Sequence, residues 1–204
     1  MSVKWMTAIM DRMPTPQQAR SQTLQERISA AIVEAAARTF AQGGESVSMR
    51  DVAAEAGIAR ATLYRYFPSR QALVEEVARF ASRDAAARLR AARLGEVPVE
   101  EAVGRAIRAL IEVGDPFVVF ARERVRPDPD EYERSLGQPL RGLMDRGQKE
   151  GSIRGDVPSS WLTEALVGLV VSLLSARPVM GREDMISTIT RLFLEGASRE
   201  GWVE

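Results

Sequence analysis

Residues 48–70 read SMRDVAAEAGIARATLYRYFPSR, and their punctuation predicts two short helices set across a tight turn. Ser48, Met49, Arg50 and Asp51 have the form of a capping box, in which the Ser48 hydroxyl accepts from the Asp51 amide while the Asp51 carboxylate reaches back. Val47 and Val52 stand where a hydrophobic staple would. The first helix begins near Met49 and ends near Ala56, because Gly57 can take the left-handed conformation. The second runs from Arg60 to Phe67, and Pro68 cannot continue it. Two helices joined through Ala56-Gly57-Ile58 make a helix-turn-helix over residues 48–67, a unit whose second helix can enter the major groove of DNA.

The free face of that second helix follows from its period. Leu63 and Phe67 fall on one side and are expected to pack inward. Arg65 falls diametrically opposite, flanked by Ala61 and Thr62, and these three are expected to point into the groove. Tyr64 and Tyr66 lie nearer the flanks, where a phenol can bond phosphate, and Arg60 at the amino end can reach base edges or backbone. The helix starts at Ser48 and at Ser69-Arg70 offer exposed N–H groups to anions, with Arg50 and Arg70 adding full charges beside them. Taken singly, Ser48 is a cap worth about 1 kcal/mol and the arginines solvate a surface; the run as a whole, with turn and spacing agreeing, carries the DNA reading.

Outward from this core the pattern is helical. Leu24, Ile28, Ala31, Ile32, Ala35 and Phe40 recur at helical spacing and Gly43-Gly44 stops them, giving a helix from about Ser21 to Gln42. A long helix is expected over Arg70 to Ala91, then others at about Val99 to Val113, Pro116 to Arg124, Glu131 to Glu150, Ser159 to Ala176 and Glu183 to Arg199. Pro139 is a difficulty inside the Glu131 to Glu150 segment; it starts the helix if Asp130 to Gln138 forms a separate turn. No segment shows sustained period-two alternation. The expectation is an all-α fold of about nine helices, divided into a flexible extension (residues 1–20, with Pro14 to Gln18 a disordered lead-in), a DNA-binding domain (21–69) and a ligand-binding and dimerisation domain (70–204).

Composition narrows the function. Among 204 residues there is no histidine and no cysteine, which removes Ser/His/Asp triads, thiol nucleophiles, disulfides and His/Cys metal sites. Carboxylate chemistry or an oxygen-ligated cation would need a constellation of acids. Glu100-Glu101, Asp128 to Glu133 and Glu183-Asp184 lack the spacing of a calcium loop, and each sits at an expected helix start where acids favour the dipole. The chain is therefore read as neither an enzyme nor a metal or cofactor protein. Its 28 basic and 28 acidic side chains balance, yet residues 1–94 hold 14 Lys/Arg against 9 Asp/Glu, so a basic half that can meet a polyanion precedes an acidic one. The longest apolar run, Ala165 to Ala176, reads as too short to span a bilayer, and a cytoplasmic protein without membrane partners is expected.

The stretch Ile28 to Val77 resembles the N-terminal DNA-binding domain of the tetracycline-repressor (TetR) family of bacterial transcription regulators. Gly57-Ile58, Thr62-Leu63-Tyr64, Tyr66-Phe67, Arg70, Ala72 and Leu73 fall at that family's spacing. The resemblance implies that Ser48, Arg60, Thr62, Tyr64, Tyr66 and Arg70 occupy DNA-contact positions and that Arg65 varies with operator sequence. Many relatives carry Ser at the position of Ala59 and Gly at that of Ala61, so this chain loses one phosphate contact and approaches DNA less closely.

The resemblance further implies a homodimer on a palindromic double-stranded operator, assembled through the last two helices as a four-helix bundle. Two apolar stripes are the candidates: Leu162, Leu166, Leu169, Val170 and Leu173 on one helix, and Met185, Ile189, Leu192, Phe193 and Gly196 on the other. In relatives the middle helices enclose a pocket for a small effector. Candidate lining residues here are Ile107, Leu110 and Ile111, then Phe117 and Phe120, then Leu140, Leu143, Met144 and Trp161, although simple core packing is the competing reading for each. The expected function is a transcription regulator, a repressor by family habit, released by a small apolar or amphipathic ligand. The rivals are a helical ligand-binding protein that has lost DNA binding, and a helical scaffold or carboxylate enzyme with an accidental motif.

Overall fold

A computed structural model describes residues 16–125, 128–176 and 180–197. Among these the chain is helical: α1 (Pro16–Gly43), α2 (Met49–Glu55), α3 (Arg60–Tyr66), α4 (Arg70–Ala91), α5 (Val99–Val113), α6 (Asp115–Glu123), α7 (Pro129–Tyr132), α8 (Gln138–Glu150), α9 (Ser159–Ala176) and α10 (Arg182–Ala197). A π-helical turn over Glu133–Gly137 joins α7 to α8. Counted as one rod, those two give the nine expected helices of an all-α fold.

Helix α1 starts earlier than the pattern predicts. Pro16 opens it, so the lead-in expected through Gln18 and the extension expected through residue 20 are helical from residue 16 onward. Proline suits a first helical position, and Gln17, Gln18, Ala19 and Arg20 all favour helix. The remainder of the expected extension lies outside the described residues. Pro139 stands in the first turn of α8, as expected if it starts that helix, where its missing N–H costs no helical bond. The segment before it is not an irregular turn but α7 and the π turn, so the rod continues through to α8.

Two cores share two helices, α4 and α6. Ile32, Ala36, Phe40, Val52, Leu63 and Val74 build the core of the first three helices and the start of α4, and Val118 and Val119 of α6 are buried in that same cluster. The second core, around Ala85, Val103, Ile107, Leu110, Met144 and Leu166, contains Phe117 and Phe120 from the same short helix. Adjacent faces of α6 thus serve both halves of the molecule.

Helix α9 revises one expectation. It begins at Ser159, so the apolar run belongs to an 18-residue helix of mean hydropathy 1.5, long and apolar enough to cross a membrane by length and composition. Only 22% of it is buried within the chain. The face expected at a dimer contact also divides. Leu162, Leu166, Val170, Ile189 and Phe193 are buried in the chain's own core, because α9 packs on α8 and α10 on α5. Leu169, Leu173 and Met185 are half-buried, while Leu192 and Gly196 are exposed.

Candidate nucleic-acid interface and effector cavity

The capping box forms. Ser48 Oγ accepts from the Asp51 amide at 3.4 Å and donates to Asp51 Oδ2 at 2.6 Å, and the Ser48 amide donates to the same oxygen at 3.0 Å. These bonds hold the Asp51 carboxyl below its ordinary value, the side-chain bond from Ser48 being the largest cause. Gly57, at φ 65°, makes the turn that ends α2. Ala59 caps α3 without a side-chain bond.

Helix α3 is set as its period predicts. Leu63 and Phe67 are buried, and Arg60, Ala61, Tyr64 and Arg65 are exposed with Thr62 and Tyr66 half-buried. The two tyrosines are each braced by an arginine. Arg60 lies 5.3 Å from the Tyr64 ring centroid and donates to its hydroxyl at 3.4 Å, and Arg65 lies 5.6 Å from the Tyr66 ring centroid. Arg50 at the start of α2 is 82% exposed. The exposed edge is therefore basic and aromatic, with the small Ala61 permitting close approach.

Arg70 departs from the expected phosphate face. Its Nη2 donates to the Gly44 carbonyl at 3.2 Å and to Glu123 Oε1 at 3.0 Å, its guanidinium lies 4.7 Å from the Phe40 ring centroid, and its Nε is buried without a partner. A carboxylate, a carbonyl and a ring face inside the chain hold the guanidinium in this inward rotamer.

A cavity of about 510 Å³ opens between α6, the α7–α8 rod and α9. Three helical stripes line it. Phe117, Phe120, Ala121 and Arg124 supply one; Tyr132, Leu136 and Leu140 another; Glu164, Val167, Gly168 and Val171 the third, with Leu110 and Arg122 completing the wall. Phe120 lies between Phe117 and Tyr132, with centroids 6.0 and 5.6 Å away. Of the residues expected here, Leu110, Phe117, Phe120 and Leu140 line the cavity. Ile107, Ile111 and Met144 are instead buried core, Leu143 lines a separate groove of about 370 Å³ beside Leu89 and Leu94, and Trp161 is 72% exposed and lines neither. The polar lining, Arg122, Arg124, Tyr132 and Glu164, was missed. The i, i+3, i+4, i+7 register on α6 and α9 is the signal for Arg124 and Glu164; Arg122 lies off that stripe and Tyr132 stands on α7, and no local pattern marks either.

Comparison with known proteins places these features in context. The family model described as bacterial regulatory proteins, tetR family, matches residues 32–77. The transcriptional repressor LfrR of Mycolicibacterium smegmatis is 26% identical over 176 residues, covering 84% of this chain and 90% of that protein. Its crystal structure in complex with proflavine superposes with a TM-score of 0.68 at 22% identity, over 89% of this chain and 99% of that one. The ketosteroid regulator KstR2 of Mycobacterium tuberculosis superposes with a TM-score of 0.64 at 20% identity, over 84% and 95% of the two chains.

Proposed function

We propose that the chain, whose residues 32–77 match the model of the tetR family of bacterial regulatory proteins, is a repressor of that family which binds a palindromic operator as a homodimer and leaves it when a small effector fills the cavity beside α6. The observation that carries this reading is the exposed Arg60–Tyr66 edge standing on a buried Leu63 and Phe67. Arg65, Thr62 and Ala61 read bases in the major groove, and Ser48, Arg50, Arg60, Tyr64 and Tyr66 grip phosphates. Arg70 is left out of the contact set.

One such helix reads only a few base pairs, so a two-fold partner supplies the second half-site. The exposed apolar surface of α9, with Leu192 and Gly196 of α10, is the surface a second copy covers; the match to a family of bacterial regulatory proteins supports this over a membrane. The ring-rich wall of Phe117, Phe120 and Tyr132 suits a small apolar or amphipathic effector, and LfrR, a similar protein, is known in complex with proflavine.

The test is selection of bound fragments from random duplex DNA, followed by a salt titration on the best duplex. With about four phosphates neutralised per protomer, log K falls against log salt with a slope near −7 for a dimer. No enriched palindrome together with a flat salt response sinks the reading in favour of a helical ligand-binding protein without DNA activity.

A further inference from the structure

Among the described residues, two guanidinium groups line the cavity and neither is ion-paired. Arg122 donates from Nη1 to the Ala41 carbonyl at 3.2 Å. Among the described residues neither it nor Arg124 has an ion pair within 4.0 Å. Arg124 ends α6 in the left-handed conformation, φ 52°, which helices ordinarily give to glycine. Glu164, on α9, is the single acid among the described lining residues, whose side chains sum to one positive charge. A guanidinium has five donors in a fixed fork, and a lone backbone carbonyl leaves most of Arg122's capacity unspent.

Arg122 also stands at a junction. The Ala41 carbonyl belongs to the last turn of α1, within the DNA-binding head, while the same arginine lines the cavity. Val118 and Val119 of the same helix are buried in the head's core. Whatever draws the Arg122 side chain into the cavity takes a bond away from the head.

We propose that the effector is an organic anion, an aromatic or apolar body ending in a carboxylate. The carboxylate is held by Arg122 and Arg124, and its capture of Arg122 breaks the bond to Ala41 and loosens α6 from α1. This rests on the reading of the cavity as an effector site. A carboxylate gives a charge-assisted, bidentate partner in a partly apolar wall, which a neutral carbonyl does not match, whereas a cation meets two like charges there. At 22% identity the ligand of the LfrR complex does not fix the charge preferred by this chain.

Three probes sharing one ring system test it: anthracene-9-carboxylate, 9-anthracenemethanol and 9-(aminomethyl)anthracene, titrated at pH 7 into the full chain by calorimetry and into its operator complex by anisotropy. The carboxylate is expected to bind at least tenfold tighter than the other two and to be the one that releases DNA. Arg122→Gln and Arg124→Gln are expected to erase that preference while changing alcohol affinity less than twofold, and Arg122→Lys to restore part of it. Equal or tighter binding of the amine, or a preference that survives in both glutamine variants, overturns the charge assignment while leaving the cavity as the effector site. Failure of all three probes to bind overturns the effector-site reading itself, and the charge assignment with it.

Discussion

Arg70 and Glu123 are 53 positions apart in sequence and meet with Nη2 to Oε1 at 3.0 Å, joining the first turn of α4 to the last turn of α6. Both side chains are half-buried, at 29% and 22% exposure, and the Gly44 carbonyl and Phe40 ring complete the seat. The pair fixes where the DNA-reading helices sit relative to the cavity. Arg70→Ala is therefore expected to act as a structural change, costing about 1–2 kcal/mol of unfolding free energy from charge-assisted bonds partly shielded from water. The slope of log K against log salt should stay the same. A slope reduced by about one unit per protomer, with thermal stability intact, would show a phosphate contact instead.

Arg65 and Tyr64 are adjacent yet differently employed. Arg65 stands on the outward edge, and Tyr64 presents a hydroxyl already bonded to Arg60. Arg65→Ala is expected to relax base preference within each half-site, with a loss of about 1–3 kcal/mol on the best operator and less on mismatched ones. Tyr64→Phe removes a hydroxyl suited to phosphate and weakens all duplexes by a similar factor. A panel of single-base operator variants separates the two. Uniform losses for Arg65→Ala would reduce it to a backbone contact.

The reading head was legible because local chemistry dictates it: a serine cap, a glycine turn, a proline stop and two apolar residues four apart leave one arrangement open. The orientation of Arg70 was not legible, since its partner Glu123 and its ring Phe40 come from distant segments and no local pattern links them. The cavity was half legible for a related reason. Choosing apolar residues picked out Phe117 and Phe120 but also Ile107 and Met144, which face inward, and it passed over Arg124 and Glu164, whose helix faces alone mark them, and Arg122, which lies off the lining stripe. Trp161 shows the same limit from the other side, being large, apolar and exposed.

Acid is the condition that should weaken the fold, and neutral pH should leave it untouched. Asp51 is held low by its bond from Ser48, Glu133 by Arg141, Asp156 by Arg154 and Glu183 by Arg108. A carboxyl lowered on folding adds stability that is fully present above its unfolded value and is lost as pH falls through the folded one. With no histidine, no side chain is set to titrate at its ordinary value between about pH 5 and 8. Thermal midpoints should be level across that range and drop below about pH 4. A step between pH 6 and 7 would contradict this account.

The proposed dimer surface centres on one face of α9. Trp161, Ala165, Gly168 and Ser172 of α9 are exposed at positions i, i+4, i+7 and i+11, a single face of one helix. On α10, which packs against α9, Leu192, at 50%, and Gly196 are exposed as well. A Cβ built on Gly168 or Gly196 meets nothing within 4 Å, so the surface is open to a close-packed helix from a second copy. Each large side chain buried there contributes about 1.5–3 kcal/mol, and two-fold symmetry counts it twice. Leu192→Glu puts a charge on each side of the seam, where it must shed water without a partner. The variant is expected to sediment as a monomer at micromolar concentration, to keep the helical content and melting profile of the head, and to lose palindrome affinity by at least a hundredfold while retaining weak half-site binding. Sedimentation as an intact dimer would move the interface off this face of α9 and α10, and the spacing of the two reading helices would then have to come from another pairing.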